Sequence, residues 1–169
     1  MNVQWIADVV RRFQTAGALL DTNLLLVYIL GSINPLQINR WKRTKPYGTK
    51  DLRFLVDFVS RMNAVFVAPG VAAETSNFLG ELGGDLRRLT LERLKSYLVE
   101  SREISFSCQA VANLAEFPRL GFTDSTLCEA ARGGSLILTD DFPLANYLDS
   151  KNLGVLNYHH IRQIMASMK

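Results

Sequence analysis

The sequence predicts an α/β fold with three layers, α/β/α, around a central parallel sheet of about four to five strands. Two observations carry this. Short, β-branched apolar runs bounded by turn residues, Ala64–Ala68, Ser135–Thr139 and Gly154–Leu156, alternate with longer stretches of helical periodicity, the pattern of strand–helix–strand units. The most apolar stretch, Ala18–Leu30, carries the polar triplet Asp21-Thr22-Asn23 within it. An aspartate buried unpaired inside a single helix is costly, so the stretch reads as a strand, Gly17–Leu20, followed by a helix from about Asn23. Asp21 then stands at the strand's carboxyl end, with Thr22 or Asn23 as the helix cap. That end is where parallel sheets place their chemistry.

Composition narrows the class. A chain of 169 residues with 48% hydrophobic content is one domain, 1–169, able to bury a full core. Cys108 and Cys128 stand far apart in no metal-ligand pattern and no secretory signal is recognisable, so the expectation is a cytoplasmic protein whose two thiols are small buried hydrophobes. The longest apolar run falls short of the roughly 20 residues of a membrane helix. The net charge of +3, from 19 basic and 16 acidic residues, names no partner by itself. Its distribution says more: Arg40–Lys50 holds five positive charges and no acid, with Trp41 and Tyr47 interleaved, a composition suited to phosphate contacts and base stacking.

The elements follow in order. An amphipathic helix over 3–14 places Ile6, Val10 and Phe13 on one face. After the Asn23–Leu30 helix, Gly31-Ser32 and Asn34-Pro35 open a basic loop, 32–50. Asp51–Met62 is amphipathic, with Leu52, Leu55, Val56 and Val59 on its buried face. Past the strand Ala64–Ala68, Pro69-Gly70 turns into a helix, Val71–Leu79, with Glu74 in its first turn. Asp85 caps a charged helix to about Glu100, and Ser105–Phe117 is expected to be helical. Thr123 caps a helix over Asp124–Arg132, closed by Gly133-Gly134. Asp140 and Asp141 follow the strand Ser135–Thr139 directly. Helices Phe142–Leu148 and His160–Met168 complete the chain.

In a right-handed parallel sheet the strand carboxyl ends and the following helix amino ends share one edge. Asp21, Glu74, Asp124 and the Asp140-Asp141 pair are all expected there. Two carboxylates about 4 Å apart repel by roughly 4 kcal/mol at an effective dielectric near 20, a cost that a bound cation removes. Oxygen donors without His or Cys select a hard ion, Mg2+ or Mn2+.

Four segments, LLDTN at Leu19–Asn23, the lone Glu74 in PGVAAETSNFL, TDSTLCEAA at Thr123–Ala131 and LILTDDFPL at Leu136–Leu144, resemble the four sequence blocks of the PIN domain. That family includes the ribonuclease toxins of toxin–antitoxin pairs and RNA-processing nucleases. The resemblance runs from about Leu19 to Asn157. It implies that Asp21, Glu74 and Asp124 are core metal-binding acids and, because the last block reads Thr, any residue, Asp, that Asp141 is the fourth, with Asp140 as the alternative. Thr139 and Asn23 would be supporting polar residues. The leading helix and the basic insertion depart from the smallest toxins.

The expected activity is that of a PIN-like endoribonuclease, hydrolysing phosphodiesters in single-stranded or structured RNA with Mg2+ or Mn2+ held by Asp21, Glu74, Asp124 and Asp141. Arg40, Lys42, Arg43 and Lys45 would guide the RNA backbone, with Trp41 or Tyr47 stacking on a base. The resemblance further implies an antitoxin protein and a homodimer as partners. His159 and His160 are expected to be structural. The alternative is a catalytically inactive PIN-like module that binds RNA or protein. An aspartyl-phosphate enzyme would place a second Asp where Asn23 stands, and a receiver domain would need paired early acids and a late lysine after a strand; neither pattern occurs.

Overall fold

A computed structural model describes residues 3–167. Five strands, β1 (Ala18–Leu20), β2 (Val65–Val67), β3 (Arg102–Glu103), β4 (Leu136–Thr139) and β5 (Val155–Asn157), form one all-parallel sheet in the order β3-β2-β1-β4-β5. The central strands align Ala18 with Val65 on one side and with Leu136 on the other. Both β1 and β4 are completely buried, which is why they read as unbroken apolar runs.

Helices cover both faces: α1 (Val3–Phe13), α2 (Thr22–Ile33), α3 (Thr49–Arg61), α4 (Pro69–Leu79), α5 (Gly84–Glu100), α6 (Cys108–Ala112), α7 (Phe117–Arg132), α8 (Phe142–Ser150) and α9 (Tyr158–Ser167). The architecture is the expected three-layer α/β/α fold. Helix α2 is its centre: Leu24, Leu25, Leu26, Val27, Ile29 and Leu30 are all buried, because α3, α4 and α5 pack around it. A helix apolar on every side is stable in water only when enclosed in this way. No helix among the described residues is long and apolar enough to cross a membrane.

Several expectations are corrected. Asp21 itself, not Thr22 or Asn23, caps α2; Glu74 lies in the second turn of α4 because that helix begins at Pro69; Gly83, not Asp85, precedes α5; and Val56 is exposed. The predicted helix Ser105–Phe117 is mostly not one: β3 and an extended segment come first, and only Cys108–Ala112 is helical before α7 begins at Phe117. Two charged, exposed residues make up β3, so no apolar signal marks it; its charges suit an edge strand that must not recruit another. Thr123 is not a cap, since α7 runs through it with a kink at Gly121, whose φ of 77° is accessible at little cost only without a Cβ. Cys108 is exposed, while Cys128 is buried as expected. Met168, the expected end of the last helix, lies outside the described residues.

The basic segment is not an open loop. A single 3-10 turn, Pro35–Gln37, follows α2, and the rest is a chain of turns held against the body. Ile38 and Thr44 are buried, and the Thr44 hydroxyl donates to the Ile38 carbonyl at 2.7 Å. Arg43 lies over the Phe78 ring at 3.5 Å and pairs with Glu81 at 2.5 Å, and Lys42 approaches the same carboxylate at 3.4 Å. Trp41 is half-buried against the core and Tyr47 is only 6% exposed, so Tyr47 is no stacking surface for a base. Arg40 and Lys45 remain exposed.

Candidate active site

Strand order locates the site. The chain leaves β1 towards β2 and returns on the other side at β4, so the sheet's topological switch lies between β1 and β4. Asp21 ends β1, and Asp140 and Asp141 end β4. Asp21 is the N-cap of α2: one oxygen accepts from the Leu24 N–H at 2.8 Å, and the other from the Thr139 hydroxyl at 2.5 Å and the Asp140 N–H at 2.8 Å. Asp141 caps α8 in the same way, accepting from the Leu144 N–H at 2.7 Å, while its own N–H donates to the Thr139 hydroxyl at 2.9 Å. Thr139 therefore bridges the two aspartates.

Glu74 enters from α4. Its two oxygens accept from the Thr22 hydroxyl at 2.8 Å and the Thr123 hydroxyl at 2.7 Å. The approach of α4 to α7 depends on Gly70, where a Cβ would stand 3.2 Å from the Thr123 hydroxyl. Asp124, one residue beyond Thr123, lies within electrostatic reach of both Asp141 and Glu74. Burial, then Asp141 and Glu74, push its carboxyl up to about 6. Burial first and Asp140 second also raise Asp21 well above the usual carboxylate range, against its three hydrogen bonds.

The five acids thus divide into two neighbouring groups. Glu74, Asp124 and Asp141 form one. Asp21 and Asp140 form the other, where Asn23 donates to Asp140 at 3.1 Å and the buried Tyr47 hydroxyl also donates to it. Sequence reasoning anticipated Thr139 and Asn23 at this edge but missed Thr22, Thr123 and the acidic contact of Tyr47. The signal for the threonines was a hydroxyl immediately beside an acid in the chain. For Tyr47 there was none, since its partner lies 93 residues away. Tyr47 is locked from behind: Arg162 lies over its ring at 5.4 Å, donates to the Pro46 carbonyl and pairs with Asp51 at 3.3 Å.

Which of these groups could hold a cation follows from their donors. All are oxygens, the carboxylate oxygens that accept a single hydrogen bond retain a second lone pair, as all but Asp21 Oδ2 do here, and the unbalanced charge around Asp124 is what a hard divalent ion would cancel. Glu74, Asp124 and Asp141 could supply its ligands, with Asp21 alongside. As placed, no three Asp, Glu, His or Cys side chains among the described residues stand at ligand spacing.

A buried ion pair fixes the distance between the helices that carry Asp124 and Asp141. Glu116, whose side chain is 1% exposed, accepts from Arg132 at 2.6 Å and from the Tyr147 hydroxyl at 3.0 Å, tying both ends of α7 to α8. Arg132→Met leaves that carboxylate buried with only a phenol, and urea denaturation should read a loss of about 2–3 kcal/mol. A groove of about 350 Å³ lies elsewhere, between α1, α3 and α9, lined by Ile6, Val10, Phe54, Phe58 and Ile161. His159 and His160 stand apart from the acids' hydrogen bonds, their rings against Phe142.

The raised Asp124 carboxyl has a stability consequence. Its value of about 6 in the fold exceeds the ordinary 3.8, so between those pH values the folded protein binds more protons than the unfolded chain and stability falls as pH rises. Metal-free Asp124→Asn should lose that slope and gain about 1–2 kcal/mol at pH 7, after discounting for partial exposure. Denaturation midpoints at pH 4 and pH 7 measure it.

The fold and this edge define an α/β protein with carboxylates gathered at the switch point of a parallel sheet. Compared with family models and with curated proteins, the chain matches none.

Proposed function

We propose that this protein is a divalent-cation-dependent endoribonuclease, acting on phosphodiester bonds of RNA at the edge lined by Asp21, Glu74, Asp124 and Asp141. One observation carries the proposal: the fold keeps Asp124 part-buried beside Asp141 and Glu74, and burial first, then those two acids, push its carboxyl up to about 6. Carboxylates retained against repulsion at a switch point are a feature of functional sites. The likeness of the four segments around them to PIN-domain blocks supplies the choice of RNA.

When bound, Mg2+ or Mn2+ supplies positive charge against the phosphate and acidity to a water. The chain's own groups do the rest. Thr22 and Thr123 orient Glu74, and Thr139 and the Leu24 N–H orient Asp21. The Leu144 N–H fixes one oxygen of Asp141, and the other would be a ligand to the cation. Asp124 would supply a further ligand. Exposed Arg40 and Lys45 guide the RNA backbone, a role that Lys42 and Arg43 share less because Glu81 holds them.

A second reading is a PIN-like module that binds RNA or a protein without cleaving. It is favoured by the placement of the acids, since no three of them among the described residues stand together at ligand spacing. Cleavage of labelled single-stranded RNA in manganese separates the two. Wild-type cleavage that Asp124→Asn lacks supports the enzyme; no cleavage by either protein in magnesium or manganese supports the binding module.

A further inference from the structure

We propose that Phe122 and Phe142 are stacking platforms for unpaired nucleobases, so that the RNA crossing the acidic edge is single-stranded; this rests on the reading of the edge as an RNA site. Six large hydrophobic side chains are exposed among the described residues, and two of them are aromatic: Phe122 at 39% and Phe142 at 48%. Both are beside the acids. Phe122 precedes Asp124 by two residues and is next to Thr123, whose hydroxyl bonds Glu74; Phe142 follows Asp141, whose N–H bonds Thr139. Each ring therefore belongs to a segment that supplies the acidic edge.

Their setting selects the occupant. Thr123 is the chain neighbour of Phe122 and Asp141 that of Phe142, and the other large exposed hydrophobics among the described residues, Leu36, Val56, Leu89 and Val99, come from other segments, so neither ring extends a broad apolar surface of the kind a protein partner buries. Separate flat π-faces set in a polar edge suit separate flat bases. Phe142 is already part of a ring assembly, with the His159 imidazole at 5.7 Å and 46° and the His160 imidazole at 6.2 Å and nearly perpendicular. Positive charge is at hand: Lys45 and Lys50 are exposed and enter no ion pair among the described residues, on the segment whose Tyr47 reaches Asp140. The stacking role that the sequence suggested for Trp41 and Tyr47 passes to phenylalanines in the acidic blocks themselves.

The test is fluorescence anisotropy with two probes in calcium-containing buffer, a labelled oligouridine and an abasic ribose-phosphate strand of equal length. Phe122→Ala and Phe142→Ala should each weaken oligouridine binding by about 5- to 10-fold and leave abasic binding unchanged. Phe142→Leu keeps apolar bulk without a π-face and should lose as much. Equal losses on both probes, no loss on oligouridine, or no oligouridine binding by the wild type would each overturn the proposal. Cleavage assays on the same proteins keep the two ideas apart. Selective loss of base binding without cleavage in any metal upholds the platforms and overturns hydrolysis; cleavage with undiminished binding by both alanine variants does the reverse.

Discussion

If the edge is the proposed nuclease site, Asp21→Asn should lower cleavage of single-stranded RNA by about 10³-fold, equivalent to about 4 kcal/mol of transition-state stabilisation, while the protein stays folded. Two effects on stability oppose each other. The amide keeps an acceptor for the Leu24 N–H, and the Thr139 hydroxyl can reverse to donate elsewhere, but the Asp140 N–H then faces a donor and loses its partner. Against that, the substitution removes a buried charge that burial and Asp140 both disfavour. The urea midpoint should stay within about 1 kcal/mol of wild type. A variant that is equally folded and equally active would show that Asp21 is only the cap of α2 and the tie between β1 and β4.

Manganese should raise the melting temperature of the wild type by about 5–10 °C when present at about 100 times its dissociation constant. Binding to the folded state alone contributes roughly 2.7 kcal/mol at that ratio, and a chain of this size gains about 2–4 °C per kcal/mol. Asp124→Asn and Asp141→Asn should each abolish most of the shift, although the first is the more stable protein without metal. Differential scanning calorimetry reads both effects in one series. Potassium at matched ionic strength should not reproduce the shift, because screening weakens the Asp124–Asp141–Glu74 repulsion without filling the site.

Much of the fold could be read from the chain, for reasons visible in particular residues. Strands buried on both faces, such as Leu136–Thr139, have to be apolar throughout, and Asp21 could interrupt an apolar run only at an element boundary. The edge strand Arg102–Glu103 was illegible because two charged residues pair through backbone alone. Asp21, Asp140 and Asp141 were legible as well, since each follows a strand end, whereas Glu74 lies in the second turn of α4 and Asp124 inside α7. Their division into a Glu74–Asp124–Asp141 group and an Asp21–Asp140 group was not, because it depends on hydroxyls from distant segments. Tyr47 was misread for a related reason: within a basic stretch an aromatic looks solvent-facing, and only the fold brings Asp140 over it and Arg162 against its ring.

The central claim is that these acids converge on a divalent cation, and the most direct test is a crystal structure with manganese located by anomalous scattering. The expected result is manganese at the edge, with carboxylate oxygens of Glu74, Asp124 and Asp141 and of Asp21 at about 2.0–2.6 Å and the threonine hydroxyls still on Glu74 and Asp21. Manganese bound elsewhere, or these carboxylates unmoved and unoccupied at saturating manganese, would contradict the account.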